Sequence, residues 1–280
     1  MKIKLFPLLL LGLCATAFAD DSFLVASYNI RYQNPEDVAR GDGWETRQPQ
    51  VAGLIRFHEF DVFGLQEVTA AQLQDLVTLD DYAHVGVGRE DGKEAGEYSP
   101  VFWRKSRFAL LDSGTFWLSP TPDIVSRGWD ALYSRICTWV KLRDRRTGVA
   151  FHFWNTHFDH RGAEARKNSA MLLLARMKPH LGGREPVILL GDFNSTPDTE
   201  AYAILAAGLG DAMKLSAAPA YGPTGSTNGF NYNGKFVHRI DHIFLGPGIK
   251  VLKHGTLTDS SDHRFPSDHF PVVARLVLPK

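Results

Sequence analysis

Eight short runs recur along the chain, each rich in Val, Ile, Phe or Trp and bounded by turn-forming residues: FLVASYNI, DVFGLQEV, SPVFWR, ICTWVKLR, VAFHFWNTHF, PVILLGDF, RIDHIFL and FPVVARLVL. Runs of this length and composition read as strands. Helical spacing is found in three segments. ETRQPQVAGLIRFHEF places Val51, Leu54, Ile55 and His58 on one face, and AEARKNSAMLLLARMKPHL places Met171, Leu174, Ala175 and Lys178 together before Pro179 and Gly182 stop it. TEAYAILAAGL reads as a third helix, ending at Gly208 or Gly210. Several strand pairs have no helix between them, so an alternating parallel sheet fits poorly and two packed sheets with helices on their outer faces fit better.

No repeat, low-complexity block or Pro/Ser-rich linker divides residues 20–280, which read as one domain. Residues 1–19 stand apart. Lys2 and Lys4 precede the apolar run LFPLLLLGLCATAFA, which ends in Ala17-Phe18-Ala19. This is the order of a secretory signal peptide, so a secreted or periplasmic protein is expected. The run is too short to span a bilayer comfortably, and no later stretch approaches the roughly 20 apolar residues of a spanning helix. Without this segment only Cys137 remains, so no intramolecular disulfide can form. The remaining 29 basic and 31 acidic residues nearly cancel, which argues against nonspecific retention of long nucleic acid. The chain is expected to act as a monomer.

The strand-like runs end in one kind of chemistry. VASYNIR delivers Asn29, VFGLQEV delivers Glu67, and FHFWNTHFDH delivers His157, Asp159 and His160. VILLGDFN delivers Asp192 and Asn194, RIDHIF delivers Asp241, and SDHFPV delivers Asp268 and His269. A carboxylate beside buried aliphatics is partly desolvated and needs a cation or a donor to compensate. Glu67 and Asp268 would repel each other unless they share a metal, and hard oxygen ligands suit Mg²⁺, with Mn²⁺ or Ca²⁺ as alternatives. Asp241 is a natural orienting partner for a histidine, fixing its tautomer and favouring the imidazolium form. Asp192 and Asn194 share a face by strand alternation, while Phe193 points the other way.

In this order YNIR, LQEV, NTHFDHRG, GDFNSTP, RIDHIF and SDHFPV resemble the endonuclease/exonuclease/phosphatase superfamily with its DNase I-like fold, from about residue 23 to the C-terminus. The wording is similar to exported bacterial members and nocturnin-like deadenylases. The resemblance implies a four-layer α/β/β/α sandwich, two mainly antiparallel sheets between outer helices, with the site at one end of the sheets. It implies Glu67 as the principal metal ligand, with Asn29 and Asp268 near the metal or phosphate. Asp192 would orient or deprotonate the attacking water, and Asn194 would hold a phosphate oxygen. His157 and His269, the latter paired with Asp241, would stabilise charge on phosphorus oxygens.

Weaker candidates surround this set. Arg135, His160 and Arg161 are candidate substrate contacts, with strand-start, loop and cap roles as the bland alternatives. Phe230 and Tyr232, in the Gly- and Asn-rich segment TGSTNGFNYNGKF, are candidate rim residues. Trp44 and Arg47 are expected to pack and to form a salt bridge. His238, His242 and His263 invite a zinc site, but His242 follows Asp241 and faces the opposite side of its strand. The expected activity is metal-dependent hydrolysis of a phosphate ester of a nucleotide, nucleic acid, lipid headgroup or sugar, by direct attack of water. A nonspecific secreted nuclease and a non-catalytic binding module are the alternatives, the latter disfavoured because every expected position is filled.

Overall fold

Runs such as Val62–Gln66, Val187–Asp192 and Asp241–Leu245 are buried at every position, so each needs cover on both faces, and that requirement organises the molecule. The computed structural model describes residues 21–183 and 185–280, so the segment read as a signal peptide lies outside the described residues. The strands are β1 (Phe23–Asn29), β2 (Val62–Gln66), β3 (Tyr82–Val85), β4 (Val101–Arg104), β5 (Phe108–Trp117) and β6 (Ile136–Asp144). They continue as β7 (Ala150–His157), β8 (Val187–Asp192), β9 (Gly210–Asp211), β10 (Asp241–Leu245), β11 (Lys250–Thr256) and β12 (Val272–Val277). The helices are α1 (Pro35–Val38), α2 (Trp44–Phe57), α3 (Ala70–Leu76), α4 (Ala163–Met177), α5 (Glu200–Gly208) and α6 (Ala212–Leu215).

Two six-stranded sheets form, in the orders β11-β12-β1-β2-β4-β3 and β5-β6-β7-β8-β10-β9. Both are mainly antiparallel, each with one parallel pair, β1 with β2 and β7 with β8. Three apolar clusters separate four layers. Phe23, Val62, Phe153, Ile188 and Ile243 fill the space between the sheets. Val51, Leu54 and Ile55 of α2 pack on the outside of the first sheet, and Ala170, Leu173 and Met177 of α4 with Leu205 of α5 on the outside of the second. The α/β sandwich expected from the sequence is the fold observed.

All eight strand-like runs are strands. Four strands were not legible. β5 holds Asp112, Ser113 and Gly114 in mid-strand, and its register slips between Leu110 and Asp112; β11 slips between Val251 and Lys253. A bulge interrupts the two-residue alternation on which sequence reading depends. The three long helices lie where helical spacing placed them, but the face assigned to α4 is wrong. Met171 is exposed, as are Ala175 and Lys178, while Ala170, Leu173 and Met177 are buried. The run Met171-Leu172-Leu173-Leu174 is apolar on every side, so composition could not choose the face; the small residues Ser169 and Ala170, which permit close approach to the sheet, did.

A polar tie joins the sheets just below their ends. Asn155 of β7, fully buried, donates from Nδ2 to the carbonyls of Leu65 and Pro100, each at 2.8 Å, and its Oδ1 accepts from Gln66 Nε2 at 2.7 Å. Gly64 makes room for it, since a Cβ there would fall 2.3 Å from Asn155 Cγ.

Candidate active site

Parallel pairing sets the position of the site. β1 and β2 run the same way, as do β7 and β8, so Asn29, His157 and Asp192 close their strands at one end of the sandwich, and Glu67 follows the last residue of β2. His157 and Asp192 are direct cross-strand partners, and β10 begins at Asp241, also opposite Asp192. Ligand sites outside the carboxyl ends of parallel strands follow from the same geometry in other α/β folds. Here the two sheets face each other, so the ends of both parallel pairs share one cleft.

The cleft has a volume of about 500 Å³ and is lined by Glu67, His157, Asp192, Asn194, Asp268 and His269, with Arg135 and His160 beside them. Arg31, Tyr32, Arg89, Glu97 and Tyr133 complete it, and sequence reasoning had singled out none of these five. Asp241 and Asn29 are buried immediately behind the lining. Arg161, Phe230 and Tyr232 are not brought into it. Arg161 contributes a backbone N–H to Asp159 Oδ1, Phe230 packs against the Arg47 guanidinium, and Tyr232 stacks on Phe265.

Asn29 joins two carboxylates: its Nδ2 donates to Glu67 Oε1 and to Asp192 Oδ2, both at 3.0 Å, and its Oδ1 accepts the Arg31 N–H. It therefore holds the acids in place, and in this arrangement its own oxygen is occupied. Glu67 stands in the left-handed region with φ 61°, a strained conformation for a side chain of its size. Its Oε2 accepts the Tyr32 N–H at 3.2 Å, and among the described residues it has no ion pair. Asp268 has Arg31 at 3.6 Å.

The two histidines are driven to opposite charge states. His269 donates from Nδ1 to Asp241 Oδ2 at 2.9 Å; burial opposes its charge, but Asp241, Asp192 and Asp268 outweigh burial and hold its pKa well above the usual range. Ser226 Oγ also donates to Asp241 Oδ2, at 2.6 Å, fixing that carboxylate. Burial, reinforced by Arg135 and Arg89, pushes His157 well below the usual range, so it stays a neutral imidazole. Asn194 Nδ2 donates to its Nε2 at 3.1 Å. Burial and the charge of Asp241 push the Asp192 carboxyl up to about 7, against the pull of His269 and the Asn194 and Asn29 donors. Burial likewise raises Asp268 and Glu97, in both cases helped by Glu67.

Arg135 is 4% exposed, with Nε on Asp159 at 3.4 Å and Nη2 on His160 Nδ1 at 3.1 Å, while its buried Nη1 has no protein partner. A guanidinium N–H in this state fits a phosphate oxygen. Asp159 is the hub of that wall. Burial works against its charge, but the N–H groups of Gly162 and Arg161, with Arg135, bring its pKa to about 2.

Trp44 and Arg47 lie outside the cleft. Trp44 packs in the core and donates to Asp75 at 2.8 Å. The salt bridge expected of Arg47 is not formed: its guanidinium donates instead to the carbonyls of Ile30, Arg31, Asp42 and Pro266. Those contacts pin the segments that carry Arg31 and Asp268. His242 packs on Phe193 and Tyr202, away from the cleft as strand alternation requires. His238, His242 and His263 do not gather. Among the described residues the groups of this kind are Asp192-Asp241-His269, in the site, and His152-His180-Glu185, whose carboxylate already has Lys141 at 2.6 Å.

Fold and site together define a phosphoesterase of the DNase I-like class. Buried carboxylates, a charged and a neutral histidine, an amide and a guanidinium with one unpartnered nitrogen converge where two sheets meet. The model of the endonuclease/exonuclease/phosphatase family matches residues 26–269, and the chain belongs to that family. It is 44% identical to a Bacteroides thetaiotaomicron structure of an endonuclease/exonuclease/phosphatase family protein, covering 92% of this chain and 98% of that one with a TM-score of 0.88. It is 43% identical to a mannosyl-6-phosphatase of Bacteroides thetaiotaomicron VPI-5482, covering 91% and 100% with a TM-score of 0.87. Among curated relatives, the Ccr4 exoribonuclease subunit of the CCR4-Not complex from Emericella nidulans is 22% identical over 82% of this chain. The chain spans about half the length of the curated relatives it matches, 47% in that case.

Members of the family are typically metal-dependent, and the residues here fit a divalent cation. Glu67 and Asp268 offer hard carboxylate oxygens, and among the described residues Glu67 forms no ion pair. No helix of the described residues is long and apolar enough to cross a membrane.

Proposed function

We propose that the protein is an exported, Mg²⁺-dependent phosphomonoesterase acting on a phosphorylated sugar. The observation that carries this reading is a confined cleft of about 500 Å³ in which Arg135 Nη1, without a protein partner, and the His269 imidazolium stand beside Glu67 and Asp268, carboxylates able to add a divalent cation to the positive charge. A monoester dianion calls for more positive charge than a diester, and a cleft of this size suits a small phosphorylated molecule better than a duplex. The 43% identity to a mannosyl-6-phosphatase over the whole of that chain supports the same substrate class. Export rests on the signal-like segment at residues 1–19.

Glu67 and Asp268 would hold the Mg²⁺, which when bound supplies Lewis-acid neutralisation of phosphate oxygens. Asp192 accepts the proton of the attacking water. A carboxylate poised near 7 is well matched to that role, and Asn29 fixes its orientation. His269, with Nδ1 engaged by Asp241, presents its Nε2–H to a phosphoryl oxygen, and Arg135 Nη1 provides a further donor for developing charge, while Asn194 holds the neutral His157 in place.

Hydrolysis of hexose 6-phosphates and p-nitrophenyl phosphate, followed as phosphate, and of bis-p-nitrophenyl phosphate, oligoadenylate and plasmid DNA, followed as p-nitrophenol or shortened strands, each with and without Mg²⁺, tests the reading. Monoester turnover is expected to dominate, to vanish with EDTA, and to be lost in Glu67→Gln and His269→Ala. Full activity in either variant, or turnover confined to diesters, refutes it.

A further inference from the structure

Between β3 and β4 the chain makes a hairpin-like excursion, GVGREDGKEAGEYSP, that reads in sequence as a charged surface loop. Its backbone is cross-braced: Arg89 N–H donates to Glu97 O at 3.1 Å, Glu90 N–H to Ala95 O at 3.0 Å, and Gly88 N–H to Lys93 O at 2.9 Å. Asp91 Oδ1 gathers the N–H groups of Lys93 and Ala95 at 2.8 and 2.9 Å. The excursion is tied to the second sheet by Trp117 Nε1 donating to Arg89 O at 2.7 Å, and to the end of β2 by Tyr98 N–H donating to Val68 O, also at 2.7 Å. Arg89 and Glu97 are thus cross-strand neighbours on a rigid support, and their side chains meet with Nη1 at 2.7 Å from Oε2. The pair lines the cleft, and Tyr133, 46% exposed, covers the guanidinium with its ring 5.0 Å away.

The pair leaves one group of each polarity open. Arg89 Nη2 and Glu97 Oε1 have no hydrogen-bond partner among the described residues, because Arg89 uses Nε on Glu90 and Nη1 on Glu97. A fixed donor beside a fixed acceptor, next to an exposed aromatic face, is complementary to two adjacent hydroxyl groups on a ring: one hydroxyl accepts from Arg89, the other donates to Glu97, and the ring's C–H face lies on Tyr133. An aryl or simple alkyl leaving group satisfies neither atom. We infer that Arg89, Glu97 and Tyr133 form the subsite for the leaving alcohol and select phosphomonoesters whose alcohol carries a vicinal diol. The inference rests on the phosphomonoesterase reading and adds the feature of the alcohol that the site reads. A hexose and a ribonucleoside both carry such a diol, so the substrate panel must separate them.

The measurement is kcat/KM for hexose 6-phosphate, its deoxy analogues, ribonucleoside and deoxyribonucleoside 5′-monophosphates, and p-nitrophenyl phosphate. These are run on the wild-type protein, Glu97→Gln and Tyr133→Ala. Losing a hydrogen bond to a charged group is worth roughly 10- to 100-fold. The ratio of diol substrate to p-nitrophenyl phosphate should fall by about that factor in Glu97→Gln, and the wild-type protein should discriminate against the analogue missing one hydroxyl by a similar factor. Tyr133→Ala alters only an exposed side chain, so it remains informative if the Glu97 variant misfolds, and the same ratio should fall in it. Equal losses on diol and aryl substrates, or no discrimination against deoxy analogues, overturns the inference while leaving the phosphomonoesterase reading intact. A wild-type protein that cleaves diesters but no monoester overturns both.

Discussion

Replacing Asn155 with Ala tests whether the polar tie between the sheets builds the site. The side chain is fully buried and makes three hydrogen bonds, to Leu65 O, Pro100 O and Gln66 Nε2. Gln66 Nε2 retains longer contacts at 3.3 Å to Ser27 Oγ and Gly64 O, so it is not orphaned. The Leu65 carbonyl loses its Asn155 donor, whereas Pro100 O keeps the Leu65 N–H at 3.1 Å. At about 1–3 kcal/mol for a buried group left unsatisfied, the loss is a substantial share of a total of about 5–15 kcal/mol. Urea unfolding followed by fluorescence or circular dichroism measures it. With a slope near 3 kcal/mol/M, the midpoint should drop by roughly 0.3–1 M. Activity should fall beyond the unfolded fraction, because Leu65 and Gln66 position Glu67, which follows directly. A midpoint shift below about 0.3 M with an unchanged slope, together with wild-type kcat/KM, refutes the reasoning.

Further outcomes follow from the same geometry. His242 and His254 are buried with pKa values lowered to about 4 by burial, against an ordinary 6.5, so each is neutral in the fold and charges on unfolding. The stability each confers is complete above pH 6.5 and is lost as pH falls towards 4, up to about 3 kcal/mol apiece. His254→Gln should therefore flatten the fall in unfolding midpoint between pH 7 and roughly pH 5, and an unchanged pH slope counts against it. Gly191 stands at φ 154°, where a Cβ would lie 2.0 Å from the Thr156 carbonyl. Gly191→Ala must displace β8 next to Asp192 and should lose phosphoesterase activity and, roughly, several kcal/mol of stability; a fully active, soluble variant would show that the strand can shift. Cys137 is wholly buried and its thiol pKa is pushed well above the usual value by burial. It should react with a thiol reagent only upon denaturation, so rapid labelling of the native protein would contradict the packing.

The motif residues at strand ends were legible because the signal is local. A short run rich in Val, Ile, Phe or Trp, followed by Asn, Glu, His or Asp, states both that a strand is present and what it delivers at its end. Asn29, Glu67, His157, Asp192, Asp241 and His269 were found that way, and Phe193 and His242 were correctly turned inward. Arg31 closes the motif YNIR and Tyr32 follows it, yet neither was singled out. Arg89, Glu97 and Tyr133 carried no signal in sequence, because charged and aromatic residues in a Gly-rich loop look the same whether they face solvent or a cleft. Phe230 and Tyr232 show the converse error: the loop was well chosen, but their rings found other partners.

Hydrophobic periodicity thus determined the two-sheet class, the three long helices and the residues at the strand ends. Tertiary structure decided the register that sets Asp192 opposite both His157 and Asp241, the buried face of α4, and the closure of the 86–100 excursion over the cleft. It also decided the charge states, neutral at His157 and cationic at His269. Alternation is a property of a single strand and survives in the sequence. Registers, loop closures and pKa shifts depend on groups far apart in the chain that meet only when both sheets have packed.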